Sequence, residues 1–277
     1  MPPQSDPSWR YHYFGAADPA PAQTAEADNG AVAVIRAVDL RPDSDRDRRA
    51  VESDFRLDFV YARVIRNVST RQWAGFIHRL HDNFGLSGFV LDPGGAGLMI
   101  RKDLAEPRQL IDNQEVMRMP IVTRDDSTVV EGRFILTMFR PKDPGIERVW
   151  KDCTSSDLLN DFAHAGFKQA MDGRHVTWPR PAKEWIREDV HGWGEEMHWC
   201  LKNLDAMRRE LVKVTVVTDA DGRVQFTRNN ARQFVARGRK DIAYAGLYCY
   251  VAFRVWLEEQ DEDYSPDGES ASMCSAS

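Results

Sequence analysis

Three aspartates stand at the margins of apolar segments. Asp18 closes the run Tyr11–Ala17 (YHYFGAA), Asp92 closes Leu86–Leu91 (LSGFVL), and Asp241 opens the apolar stretch that continues to Glu258. A carboxylate at the edge of a buried element is costly unless it is paired or binds a metal ion. Pairing with a base or sharing a metal ion are the two chemistries open to such acids. Each acid also has an ordinary reading. Asp18 is a turn residue before Pro19, Asp92 caps the helix that follows it, and Asp241 is a first-turn acid favoured by a helix dipole. A second feature lies directly upstream of Asp241. Arg223, Arg228, Arg232, Arg237, Arg239 and Lys240 occupy one stretch without an acid. Phosphate binding needs clustered positive charge of this kind, although a solvated face has the same composition.

The elements that would have to position these residues follow from pattern. Tyr11–Ala17 reads as a buried strand that Pro19 ends, because proline cannot donate to a ladder. Ala31–Val38 (AVAVIRAV) is almost uniformly apolar and reads as a central strand. Phe55–Asn67 is a third strand, partly alternating, so the first three form an antiparallel meander. Ser69 and Thr70 offer a helix start, the apolar residues Trp73, Phe76, Ile77, Leu80 and Phe84 share helical spacing, and Gly85 stops the helix. Leu86–Leu91 is a fourth strand, and a right-handed crossover makes it parallel to a neighbour. Leu98–Leu104, Ser155–Met171, Trp193–Leu211 and Asp241–Glu258 read as helices. Thr128–Phe139 reads as a strand, Val176–Pro179 as an extended piece, and Val212–Thr227 as a hairpin.

Composition narrows the function classes. The chain has 277 residues, 42% hydrophobic and 29% charged, which suits one large globular domain. No apolar run is long enough to span a bilayer, and the polar, proline-rich first residues do not read as a secretory signal. Cys153, Cys200, Cys249 and Cys274 are far apart without a C-x-x-C pair, which excludes a zinc ribbon or redox motif and leaves reduced thiols as the expectation. The net charge of −6 conceals an acidic end. Seven acids and no base follow Arg254. Without them the charge would be about +1. Residues 1–10 read as an extension, 11–258 as the domain, and 259–277 as a disordered acidic tail.

Taken in order, these segments resemble the nuclease domain of the large terminase subunit of tailed phages. The resemblance is carried by Gly15-Ala16-Ala17-Asp18-Pro19-Ala20, Ala27-Asp28-Asn29-Gly30-Ala31, Gly88-Phe89-Val90-Leu91-Asp92-Pro93-Gly94-Gly95-Ala96-Gly97, the hairpin end Gly222–Thr227, and Lys240-Asp241-Ile242-Ala243-Tyr244-Ala245. It implies an α/β, ribonuclease-H-like mixed sheet with helices on both faces. It implies that Asp18, Asp92 and Asp241 are catalytic carboxylates that hold two Mg²⁺ or Mn²⁺ ions, with Asp28 a further ligand, though an Asp before Asn-Gly is also ordinary turn chemistry. Oxygen-only ligands suit hard ions rather than zinc. Two such ions generate a nucleophilic water and stabilise the leaving oxygen in phosphodiester hydrolysis. The glycines after Asp92 would let backbone approach a phosphate, and the basic stretch would track duplex DNA with little sequence preference.

The resemblance further implies an endonuclease that cuts concatemeric viral DNA in the host cytoplasm, at the procapsid packaging motor. Its partners would be a packaging ATPase, a portal and a small terminase subunit. There are departures. Ile242 stands where many family members carry a second acid. No G-x-x-x-x-G-K-[ST] loop occurs, so the chain corresponds to a nuclease without its motor. Two other functions suit the fold: a Holliday-junction resolvase or transposase-like nuclease, and a non-catalytic assembly module of the packaging complex. His191, Glu195, Glu196 and His198 lack the H-E-x-x-H spacing and read as a solvated helix start. His78 and His81 read as a surface helix face. Trp178 and Trp185 mark a loop that could dock on a partner.

Overall fold

The computed structural model describes residues 10–19, 30–92, 96–111, 114–118, 120–123, 134–136, 156–187, 194–212, 214–218, 224–228 and 240–263. Strands β1 (Tyr11–Asp18), β2 (Gly30–Asp39) and β3 (Phe55–Ile65) form the expected antiparallel meander. Their centre is apolar on both faces, as a strand covered on two sides must be. Helix α1 (Thr70–Phe84) carries the chain across. Its start is a capping box, in which Ser69 Oγ accepts from the Gln72 N–H and Gln72 Oε1 accepts from the Ser69 N–H. It ends at Gly85, which adopts φ 60°, ψ 53°, a conformation glycine enters without strain. Strand β4 (Leu86–Leu91) then lies parallel to β1.

Helix α2 (Ala96–Ala105) leads to a hairpin, β5 (Arg108–Ile111) and β6 (Gln114–Met117), then to β7 (Ile121–Thr123) and β8 (Phe134–Leu136). After α3 (Ser156–Asp172) come β9 (Val176–Thr177), α4 (Ala182–Arg187) and α5 (Gly194–Leu211). The hairpin β10 (Val214–Thr218) and β11 (Val224–Arg228) precedes α6 (Lys240–Asp263). Among the described residues the main sheet runs β7-β8-β4-β1-β2-β3-β9. The antiparallel β1–β3 with β4 joined in parallel beside β1 is a ribonuclease-H-like arrangement, as expected.

Two cores sandwich this sheet. On one face Phe14, Ala16, Ala33, Ile35 and Val90 pack with α3, α5 and α6. On the other, Tyr13, Ala17, Val32, Val34, Phe89 and Leu91 pack with α1 and α2. Helices thus cover both faces. Helix α6 crosses β1, β2 and β4, and its Phe253 ring meets Phe14 and Phe55 edge-on at 5.6 and 5.3 Å. Asp58 fastens the short β9 to the sheet by accepting from Arg36, Arg56 and Thr177.

Several expectations need correction. The hairpin β5–β6, strand β7 and helix α4 were not legible, because they are short; Gln114–Met117 is exposed throughout and has no apolar alternation to read. Of the strand expected over 128–139, residues 134–136 are strand and the others lie outside the described residues. Helix α6 continues to Asp263, past the expected end at Glu258. Glu258–Asp263 contains neither Gly nor Pro, and nothing in it stops a helix. His78 is buried at 4% exposure rather than on a surface face. Trp178 is stacked on Phe59, ring centroids 4.2 Å apart and 7° from parallel, so it is a packing residue.

Candidate active site

The carboxylates come from the sheet. The Asp92 N–H donates to the Ala17 carbonyl at 3.0 Å, which extends the parallel pairing of β4 with β1 by one step and sets Asp92 beside Asp18 at the same end of the sheet. The pleat then decides which way each acid faces. Residues two apart share a face. Ala16 and Val90 both belong to the core beneath α6, so Asp18 and Asp92 lie on that side. Ala17 and Leu91 anchor the opposite face. Two acids seventy-four residues apart in sequence thus end adjacent strands, side by side on one face.

Helix α6 closes the site from above. Its Trp256 ring lies 4.4 Å from His12 near the start of β1, whereas Tyr248 reaches Asp92 at the other end, its hydroxyl donating to Asp92 Oδ2 at 3.1 Å. The helix therefore runs antiparallel to β1 and β4, and its N-terminus lies at the carboxylate end. Tyr248 is 2% exposed. Burial pushes its phenol far up from the ordinary value, and the neighbouring Asp92 and Asp18 carboxylates push it further, so the hydroxyl remains a donor. Asp241 lies seven residues before Tyr248, on the same helix face by the 3.6-residue period. Its backbone is at the carboxylate end; its side chain is outside the described residues.

The chain after Asp92 is built around a close backbone approach. A Cβ at Gly97 would stand 1.8 Å from the Asp92 carbonyl oxygen. Glycine is required there so that the start of α2 can pack onto the Asp92 peptide. Gly97 thus serves a contact of the chain with itself. Gly94 and Gly95 lie outside the described residues.

Of the residues singled out from sequence, the structure brings Asp18 and Asp92 together and sets the helix bearing Asp241 over them. Asp28, Arg223, Arg232, Arg237 and Arg239 lie outside the described residues. Arg228 ends β11 and Lys240 opens α6, with their side chains outside the description. Among the described residues no group of three His, Cys, Asp or Glu could hold a metal ion. Two oxygen donors at adjacent strand ends nevertheless suit a hard divalent cation, and Asp241 is the position from which a third would come. His191 lies outside the described residues. Glu195 and Glu196 are exposed at the start of α5, where Glu195 accepts from Trp199 Nε1 and Glu196 pairs with Arg63. Sequence reasoning does not single out Tyr248, which lies within the apolar stretch that follows Asp241. Its seven-residue offset from Asp241 was the available signal.

Among the described residues no helix is long and apolar enough to cross a membrane. No family model matches the sequence, and no curated protein does either. Among solved structures, the chain is similar to the nuclease domain of the large terminase subunit gp2 of bacterial virus Sf6. The identity is 13% and the TM-score 0.45, over 86% of this chain and 87% of that one.

Proposed function

We propose that this chain is a metal-dependent DNA endonuclease that cuts concatemeric viral DNA during genome packaging. The observation that supports it most directly is the pairing of Asp18 and Asp92 at the ends of β1 and β4, facing α6. Asp18, Asp92 and Asp241 would hold two Mg²⁺ or Mn²⁺ ions, with Asp28 as a further ligand. When bound, such ions supply an activated water and neutralise charge on the phosphate and leaving oxygen. The chain's own residues do the positioning. Asp18 ends β1, the strand between β2 and β4, and would be the central ligand. Asp92 and Asp241 would flank it, one from the sheet and one from the helix.

The basic residues from Arg223 to Lys240 lead directly into α6, whose N-terminus lies at the carboxylate end. That order supports a role in guiding the DNA backbone toward the acids. Duplex DNA is then the substrate. A packaging ATPase, a portal and a small terminase subunit are the partners, and the procapsid motor in the host cytoplasm is the place of action. The test is cleavage of supercoiled plasmid in Mn²⁺ by Asp18→Ala, Asp92→Ala and Asp241→Ala, each checked for wild-type circular dichroism. All three are expected to lose cleavage. Normal cutting by any two of them overturns the assignment. Branched DNA cut in preference to linear duplex would favour a junction resolvase instead. Partner binding without cleavage by the unaltered chain would favour an assembly module.

A further inference from the structure

Asp92 and Asp241 reach the site on different elements, and something must register the helix against the strand ends. The contact that does so is polar and lies at the site itself. Tyr248 Oη donates to Asp92 Oδ2 at 3.1 Å. The tyrosine is well placed to act as a fixed arm. Its ring is buried in the core beneath α6. The helix is seated tightly one turn around it: a Cβ at Gly246 would meet Met207 Sδ at 2.7 Å, and the Tyr244 ring packs against Tyr248 with centroids 6.2 Å apart. Side chains on a helix lean toward its N-terminus, so the Tyr248 hydroxyl reaches toward the turn that carries Asp241.

We propose that Tyr248 is a positioning residue for the metal-binding carboxylate of Asp92, fixing its rotation and tying β4 to the helix that bears Asp241. This rests on the nuclease reading above. A hydrogen bond held at Oδ2 disfavours symmetric ligation through both Asp92 oxygens and selects one carboxylate orientation. Groups that orient a ligand in this way typically change metal affinity by about 10–100-fold.

The experiment is isothermal titration of Mn²⁺ into the full chain, compared with Tyr248→Phe, Asp92→Asn and the double variant, each verified as folded by circular dichroism. Tyr248→Phe keeps the ring and removes only the donor. It is expected to raise the Mn²⁺ dissociation constant by about 10-fold. In the Asp92→Asn background the same substitution is expected to leave the remaining Mn²⁺ affinity unchanged, because the tyrosine acts through that carboxylate. An unchanged constant for Tyr248→Phe, or an equal penalty in both backgrounds, overturns the positioning role alone. A wild-type chain that takes up no Mn²⁺ overturns the nuclease reading and this role with it.

Discussion

Gly97→Ala is a one-methyl test of how the Asp92 carboxylate is placed. The added Cβ would stand 1.8 Å from the Asp92 carbonyl oxygen, and that oxygen is backbone, so no side chain can rotate away. Restoring van der Waals contact needs a shift of more than about 1 Å in the Asp92 peptide or the start of α2. Helix α2 is held by Ile100 and Leu104, both fully buried, so the shift falls substantially on the Asp92 peptide. That peptide is also bonded to Ala17, and its movement disturbs the relation of Asp92 to Asp18.

A displacement of about 1 Å at a catalytic group costs on the order of 100-fold in rate. Overpacking of this kind costs about 1–3 kcal/mol of stability, or a Tm lower by roughly 2–10 °C for a domain of this size. The assay is the initial rate of plasmid nicking in Mn²⁺ at a temperature well below the transition, beside a thermal melt. Gly166→Ala on α3 is the control. Its methyl would meet the end of the Tyr250 side chain, the hydroxyl at 2.8 Å and Cε1 at 2.9 Å, and is expected to cost stability with little loss of rate. Wild-type nicking by Gly97→Ala would refute the reasoning that this approach sets the carboxylate.

His78 predicts an acid-labile step. Burial lowers its pKa to about 4, with Arg118 and His81 acting in the same direction against Asp82, and Nε2 has no hydrogen-bond partner among the described residues. The folded value lies below the ordinary 6.5, so this stability is present above pH 6.5 and is lost as pH falls toward 4. The loss is on the order of 2 kcal/mol. Denaturant unfolding at pH 7, 5.5 and 4.5 is expected to show this slope in the wild type and a shallower one in His78→Leu; equal slopes would contradict it. Charge reversal at Arg237 and Arg239 together is expected to weaken DNA binding evenly across sequences and to reduce the salt slope by about 2. A loss confined to particular sequences would argue against phosphate tracking.

The framework of the sheet was legible because its strands carry strong signals. Ala31–Val38 is apolar throughout, Pro19 ends β1, and Ser69 with Gln72 and Gly85 bracket α1, so the meander and crossover follow from local rules. Short elements were illegible for the opposite reason: β5, β6 and β7 have three or four residues each, too few for a period to declare itself. His78 shows another limit. A histidine at helical spacing reads alike on a wet face and under a hairpin, and only the packing of α1 against β5 and its neighbours separates the two.

From its sequence alone the protein declares its first four strands, its three edge aspartates and the basic stretch that precedes the last of them. Residue type and spacing act locally, and that information is complete within each segment. Tertiary structure alone decides that Ala17 bonds to Asp92, that the pleat turns Asp18 and Asp92 to the same side, and that α6 runs antiparallel to the strands with its N-terminus above those acids. It alone gives Tyr248 a carboxylate to hold and Gly97 a carbonyl to clear. These are contacts between segments distant in the chain, set by register and close packing, and no local pattern encodes the distance between two groups that meet only when the sheet has formed.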